Sequence, residues 1–169
     1  ALIIDTLLSE SPDVIGLQEV WLPIHQDELI ANALNARMER PYSVFTGQKW
    51  GEDLAEGIAM LSRLPVRAYE HTNLPETSRL AQRLRVMVGD QPVDLVNTHL
   101  HHQPTFEETI RLPQIQHILN WMFEREGDYR WILMGDMNAE PVSSTIQVAA
   151  QRLSTVLPAK TTTFPAPLR

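Results

Sequence analysis

Hydrophobic positions recur along the chain in alternating helical and strand-like patterns. Apolar residues spaced three or four apart predict helices at Leu2–Leu8, Gln26–Met38, Thr105–Glu126 and Ser144–Leu153. Short apolar runs predict buried strands at Val14–Val20 and Trp131–Met134, and two further strands are predicted at Tyr42–Phe45 and Gly57–Ser62. Pro113 interrupts the third helical pattern, so we expect a kink or a restart of the helix there.

The clearest hairpin lies in the middle of the chain. Apolar and charged residues alternate in Arg83–Val88, which predicts that Arg83 and Arg85 form the solvent face of that strand. Gly89–Pro92 predicts the turn, and Val93–Leu100 runs back beside the first strand. Interleaved helices and strands with an antiparallel hairpin predict an α/β layered sandwich, with mixed, partly antiparallel sheets flanked by helices.

Composition narrows the class of protein. With 169 residues, 43% hydrophobic and 21% charged, the chain has the profile of one globular domain. No apolar run approaches the roughly 20 residues of a membrane helix, and no signal-peptide pattern is visible, so we expect a soluble protein. The chain has no cysteine, which excludes disulfides and thiolate zinc sites. A net charge of −7 disfavours a broad basic face for nucleic acid.

Polar residues stand where predicted strands end, the usual place for ligands in open α/β sheets. Glu19 closes an apolar strand and is a candidate Mg²⁺ ligand, the alternative being a solvent-facing acid. Asp136 and Asn138 follow another strand, and their spacing lets both side chains converge on one site. A carboxylate there can accept a proton from water and an amide can hold a phosphoryl oxygen. A simple Asx turn is the alternative.

Histidines crowd the end of the second hairpin strand. Asn97 and His99 share one face of this strand, and a single imidazole at His99 is suited to stabilising charge on a phosphoryl oxygen. His99, His101 and His102 together form an alternative zinc set, which would make the protein a zinc hydrolase. We expect His102 to be a surface residue.

Four segments, in this order, resemble the endonuclease/exonuclease/phosphatase family, which includes DNase I-like nucleases, neutral sphingomyelinases and inositol polyphosphate phosphatases. They are Pro12–Val20, Glu56–Pro65, Asn97–Leu100 and Gly135–Asn138. The resemblance runs from about residue 1 to Pro165. It is specific because the whole ordered set is present, whereas each motif by itself is short.

The resemblance implies a role for each matching residue. Glu19 corresponds to a ligand of Mg²⁺ (or Mn²⁺), and His99 to a group that stabilises the transition state. Asp136 matches the residue that activates or orients the attacking water, and Asn138 the residue that holds the phosphate. Asn97, on the same strand face as His99, is a further candidate for substrate binding. The implied activity is metal-dependent hydrolysis of phosphoester bonds.

The sequence departs from the family pattern at both ends. The family normally begins with a strand whose Asn joins the metal site, and it ends with Ile-Asp-Tyr-like and Ser-Asp-His-like motifs. Thr163-Phe164-Pro165 is similar to the loop before those motifs. We therefore expect residues 1–169 to be a single domain, a piece that lacks the first strand and the last strands. A non-catalytic remnant that acts as a binding module is the alternative function.

The substrate class follows only partly from the sequence. The net charge of −7 favours a small or lipid phosphodiester over a long nucleic acid. Arg79, Arg83 and Arg85 are candidates to line a local track for phosphates, although we expect Arg83 and Arg85 to form the solvent face of their strand. Trp21 and Trp50 lie near the predicted mouth of the site, where an indole can stack on a base or sugar. No pattern predicts a protein partner.

Overall fold

The computed structural model describes residues 2–51, 54–102, 108–124 and 130–156. Within these ranges a short 3₁₀ helix, Leu22–Ile24, follows the first strand. The elements in chain order are α1 (Leu2–Glu10), β1 (Val14–Trp21), α2 (Gln26–Asn35), β2 (Ser43–Gln48), β3 (Glu56–Ser62), β4 (Val66–Asn73), β5 (Leu80–Val88), β6 (Gln91–His99), α3 (Arg111–Phe123), β7 (Trp131–Asp136) and α4 (Ser144–Ala150).

The strands form two sheets. The first has the order β1-β3-β2, and both of its pairings are antiparallel. The second has the order β4-β5-β6-β7, in which β6 and β7 are parallel and the other pairs are antiparallel. The parallel pair is joined through α3, as a crossover connection requires. The α/β sandwich with mixed, partly antiparallel sheets predicted from the sequence is therefore confirmed.

Three hydrophobic clusters define four layers. Met60 and Leu84 belong to the cluster between the two sheets. Leu34 of α2 and Leu61 of β3 belong to a second cluster, which joins α1 and α2 to the outer face of the first sheet. A third cluster packs α3 on the outer face of the second sheet through Ile115, Ile118, Leu119 and Met122. In the part of the chain that the structure describes, no helix is long and apolar enough to cross a membrane.

Most predicted elements are present with shifted ends. The hairpin of β5 and β6 is confirmed, although β5 begins at Leu80 and includes three residues before the predicted start. The strand Val66–Asn73 was not predicted, because its residues mix polar and apolar types without regular alternation. Pro113 lies in the first turn of α3, where a missing N–H is tolerated, so the helix starts at Arg111. Residues 105–107 and 125–126 of the predicted helix lie outside the described residues.

The prediction that Arg83 lies on the solvent face of β5 is wrong. This side chain is only 3% exposed, and it donates from Nε to Asp94 Oδ1 at 2.6 Å and from Nη1 to Glu70 Oε1 at 2.7 Å. Its guanidinium also lies 5.5 Å from the ring centre of Trp131. Arg85 is more accessible but pairs with the same Asp94 at 2.8 Å. α3 packs on this outer face beside Ala81 and Val96, and Arg83 itself is enclosed by Asp94, Glu70 and Trp131, so its charge is neutralised by its own partners.

Candidate active site

The candidate site lies at one end of the interface between the sheets. His99 and Asp136 are register partners at the carboxyl ends of the parallel strands β6 and β7, so their side chains extend from the same face. A Cβ built on Gly16 of β1 would lie 2.9 Å from Asn97 Oδ1 and 3.3 Å from Met134 Sδ. β1 therefore crosses directly over β6 and β7, two residues before the ends that carry His99 and Asp136.

Glu19 follows this crossing and sits in a β-bulge. The pairing of β1 with β3 shifts by one residue between Leu17 and Val20, which leaves Glu19 without a regular partner. Its φ is +54°, a left-handed conformation that is unusual for a residue other than Gly, and its side chain is exposed. A bulge next to a site redirects a side chain, and here it turns the Glu19 carboxylate toward solvent at the end of β1.

The segment after β7 forms a tight turn. Asp136 Oδ1 accepts a hydrogen bond from the Asn138 backbone N–H at 2.9 Å, so the Asx turn considered from the sequence is present. Asn138 has a φ of +46°, and its Nδ2 donates to the Leu100 carbonyl oxygen at 2.9 Å. The backbone of Asp136 accepts from the Leu100 N–H at 2.9 Å. These bonds fix Asp136 and Asn138 beside the end of β6, with the Asp136 side chain exposed.

His99 is held by a buried arginine. Arg79 Nη1 lies 2.6 Å from His99 Nδ1, and both side chains are almost fully buried. The same Nη1 is 3.6 Å from Glu56 Oε1, and Lys49 Nζ is 2.5 Å from that oxygen. Glu56 begins β3 and pairs with the last residue of β1. The end of β1 that carries Glu19 is thereby connected to the His99 end of β6 through two cations and one carboxylate.

Burial and neighbouring cations keep His99 neutral. Desolvation lowers the pKa of His99 to about 4, and the positive charge of Arg79 adds to this shift. Asp136 and Glu56 act in the opposite direction, and Lys49 again lowers the pKa. The imidazole is therefore uncharged at neutral pH and can donate or accept a hydrogen bond without carrying a charge.

Asn97, a sequence candidate for substrate binding, lies in the interior between the sheets. Its Oδ1 accepts from Gln18 Nε2 at 2.7 Å, and its Nδ2 donates to the carbonyl oxygens of Leu17 and Ala59, each at 3.2 Å. The side chain is fully buried. Asn97 thus ties β6 to β1 and β3, and the candidate site consists of Glu19, His99, Asp136 and Asn138.

The histidines after β6 do not form a zinc set with His99. Nδ1 of His99 is occupied by Arg79, and His102 is exposed, as the sequence predicts. Over residues 2–51, 54–102, 108–124 and 130–156, no group of three His, Asp or Glu side chains is placed to hold a metal ion. A catalytic zinc normally requires three protein ligands, so the geometry disfavours the zinc alternative.

The donor chemistry of Glu19 nevertheless fits a magnesium ion. Mg²⁺ prefers oxygen ligands, keeps several waters, and is commonly bound by one or two carboxylates together with oxygens of a phosphate substrate. An exposed carboxylate at the end of a strand, near the candidate phosphoryl-binding groups, meets that requirement with one protein ligand.

Sequence reasoning missed the buried charges beside His99. Arg79 was considered only as a phosphate contact, and Lys49 was not singled out, because neither position has a local pattern that reveals its partner. Trp21 and Trp50 are 48% and 43% exposed. Trp50 is anchored by its Nε1, which donates to the Arg79 carbonyl oxygen at 3.2 Å. The adjacent Lys49 and Trp50, in a polar loop, were the only hint in the sequence that this loop contributes to the candidate site.

The fold and the ordered motifs have a counterpart in one family model. The family model described as "Endonuclease/Exonuclease/phosphatase family" matches residues 1–167 of the chain. The chain therefore belongs to this family, as the resemblance of its four motifs implies. Comparison with the curated proteins found no matching sequence.

Solved structures share the DNase I-like fold at low sequence identity. A mannosyl-6-phosphatase from Bacteroides thetaiotaomicron is 18% identical with a TM-score of 0.74, over 89% of this chain and 60% of that one. The human Nocturnin catalytic domain is 20% identical with a TM-score of 0.70, over 89% and 60%. ANGEL2, a 2′,3′-cyclic phosphatase, is 17% identical with a TM-score of 0.70, over 88% and 46%. The chain thus spans about half to three fifths of their lengths.

Proposed function

We propose that this chain carries the site of a divalent-metal-dependent phosphoester hydrolase. The observation that supports it most directly is the convergence at one end of the sandwich of Asp136, His99 and the bulge that bears Glu19. The family membership and the phosphatase names of two similar structures point to the same chemistry. The substrate class that the net charge of −7 favours is a small or lipid phosphodiester, in preference to long nucleic acid.

Each residue has a role that its position allows. Glu19 would hold Mg²⁺ or Mn²⁺, and the bound metal would supply Lewis-acid polarisation of the phosphoryl group. The exposed Asp136 carboxylate orients or deprotonates the attacking water. Asn138 and the neutral His99 donate hydrogen bonds to phosphoryl oxygens and stabilise the charge that develops on them. The tight turn that fixes Asp136 and Asn138 reduces the reorganisation needed during the reaction.

The test is hydrolysis of bis-p-nitrophenyl phosphate by the chain with Mg²⁺, Mn²⁺, Zn²⁺ or chelator, beside p-nitrophenyl phosphate as the monoester. Turnover is expected with Mg²⁺ or Mn²⁺ and not with chelator. Asp136→Asn should lower kcat by about 10²- to 10⁴-fold, because it removes the base. Glu19→Gln should weaken Mn²⁺ binding at least about tenfold, since even outer partners of metal ligands have effects of that size.

Matched controls are Asp90→Asn and Glu28→Gln, which change exposed acids outside the site. Both should behave like the parent chain. Metal-independent turnover, or full activity in the Asp136→Asn variant, would contradict the proposal. A folded chain that binds Mn²⁺ through Glu19 but hydrolyses neither ester would instead support the alternative of a non-catalytic binding module.

A further inference from the structure

We propose that Arg79 is a positioning residue, which holds His99 as the neutral imidazole with its hydrogen on Nε2. In this form His99 donates a hydrogen bond to the substrate and transfers no proton. The catalytic role of this hydrogen bond rests on the proposed function, but the protonation and tautomeric state of His99 can be measured without turnover.

The contact between the two side chains fixes the tautomer. Arg79 Nη1 is 2.6 Å from His99 Nδ1, and a guanidinium has only N–H donors and no acceptor. Nδ1 must therefore offer its lone pair, which leaves the single hydrogen of a neutral imidazole on Nε2. The nitrogen on the far side of the ring from Arg79 is then a donor at all times.

The charges around the imidazole oppose its protonation. Arg79 and Lys49 face it from the position just before β5 and the position just after β2, and Glu56 and Asp136 face it from β3 and β7. Burial is the largest influence, and the pKa of His99 is lowered to about 4. A histidine that works as an acid and base is usually paired at Nδ1 with a carboxylate, which stabilises the imidazolium. Here the Nδ1 partner is a cation, so the imidazolium is disfavoured.

Arg79 is itself held rigidly, as a positioning residue must be. Its carbonyl oxygen accepts hydrogen bonds from the Leu74 N–H at 2.8 Å and from Trp50 Nε1 at 3.2 Å. Its guanidinium lies 3.6 Å from Glu56 Oε1, and Lys49 shares that carboxylate. The side chain is 7% exposed. Backbone and head group are both anchored, so the ring of His99 is oriented by a fixed donor.

The constant protonation state of His99 should make its contribution to catalysis independent of pH. A neutral donor at Nε2 keeps its hydrogen from about pH 4 upward, so the stabilisation of a phosphoryl oxygen by His99 does not vary across the neutral range. Any acidic limb in the rate above pH 5 must then come from another group. Loss of Arg79 would allow Nδ1 to carry the hydrogen, and the pKa of His99 would rise, although burial would still hold it below its ordinary value.

The experiment is ¹⁵N NMR of the histidine rings in the whole chain, with the His99 signals identified by their disappearance in His99→Gln. At pH 7 the wild-type ring should show a bare Nδ1 and a protonated Nε2, and this pattern should not change down to pH 5. A ring with its hydrogen on Nδ1, or an imidazolium at pH 7, would overturn the proposal. This measurement needs no variant of Arg79 and no enzymatic activity.

Variants at position 79 separate positioning from general structural support. In Arg79→Met both tautomers should appear, and the His99 pKa should rise but stay below its ordinary 6.5, because the burial that lowers it most remains. Arg79→Lys should restore part of the wild-type pattern, and Arg67→Met, on the exposed side of β4, should change nothing. Where the chain turns over, Arg79→Met should lower kcat about 10- to 100-fold with little change in KM, and the acidic limb due to His99 should lie at higher pH than in wild type. A fall in kcat with unchanged ring signals would show a purely structural role.

Discussion

The positive φ angles of Glu19 and Asn138 place unfavourable backbone conformations at two of the four candidate site residues. Such conformations cost on the order of 1–3 kcal/mol for a residue other than Gly and persist when surrounding contacts enforce them. At Glu19 the β-bulge enforces it, and at Asn138 the hydrogen bonds to Asp136 and Leu100 do so. Glu19 and Asn138 are therefore held in backbone conformations that the unfolded chain would rarely adopt.

The lowered pKa of His99 predicts a pH-dependent stability. The folded state binds the proton with a pKa of about 4, below the ordinary 6.5, so the unfolded chain takes up the proton first as pH falls. The contribution is fully present above about pH 6.5 and is lost between there and pH 4, by roughly 3 kcal/mol in all. Urea unfolding at pH 7.5 and 4.5 should show a smaller loss in His99→Gln than in wild type.

A matched control is His71→Gln, which changes an exposed histidine on β4. Its free energy of unfolding should depend on pH as in wild type. An equal pH dependence in wild type and His99→Gln would contradict this account.

At the scale of the elements, the close pairing of β6 with β7 positions the turn that carries Asp136 and Asn138. Gly135 has a φ of +129°, and a Cβ on it would lie 1.9 Å from the Thr98 carbonyl oxygen of β6. Only Gly permits this approach, and Asp136 follows directly. The strand that carries Asp136 is thus placed by backbone contact with the strand that carries His99.

Gly135→Ala should accordingly destabilise the fold and move Asp136. We expect a loss of more than about 2 kcal/mol in the free energy of unfolding, because backbone atoms must shift and the φ is strained. Gly89→Ala is the control, since Gly89 also has a positive φ of +60° but has no atom within 4 Å of the added Cβ. That change should cost about 1 kcal/mol. Urea unfolding of both variants measures the difference, and equal losses would refute the steric explanation.

At the scale of the whole molecule, a polar connection joins the two sheets in the interior. Asn97 of β6 accepts from Gln18 and donates to the Leu17 and Ala59 carbonyl oxygens of β1 and β3. The neighbouring Gln18 precedes Glu19 in the chain. The interior hydrogen bonds therefore set the position of the first sheet over the second and, through Gln18, the place of the candidate metal ligand.

Asn97→Ala should weaken this connection between the two sheets and so destabilise the whole molecule. The change removes the acceptor of the half-buried Gln18 amide and the donor to the Leu17 and Ala59 carbonyl oxygens, so we expect a loss of about 2–4 kcal/mol in the free energy of unfolding. Asn73→Ala, at the exposed end of β4, should change it by less than about 0.5 kcal/mol. Guanidinium unfolding of both variants provides the comparison. A tolerated Asn97→Ala with wild-type stability but impaired substrate binding would instead favour the sequence-based role of Asn97 at the substrate.

The sequence by itself determined the order and type of most elements, the antiparallel hairpin of β5 and β6, and the positions of His99 and Asp136 at strand ends. These features follow from periodicity and turn residues, which are local and act along a few residues of chain. The roles of Glu19, His99, Asp136 and Asn138, and the lack of terminal strands, remain predictions from the resemblance.

Only the tertiary structure decided what covers each face and which groups meet across the sandwich. It buried Arg83 beside Asp94, placed Asn97 between the sheets, and brought Arg79 to His99 from 20 positions away in the chain. A local pattern shows which face of a strand is polar, but not whether another element will cover that face. The contacts that set charge, tautomer and orientation at this site are long-range, and their energies exist only in the folded chain.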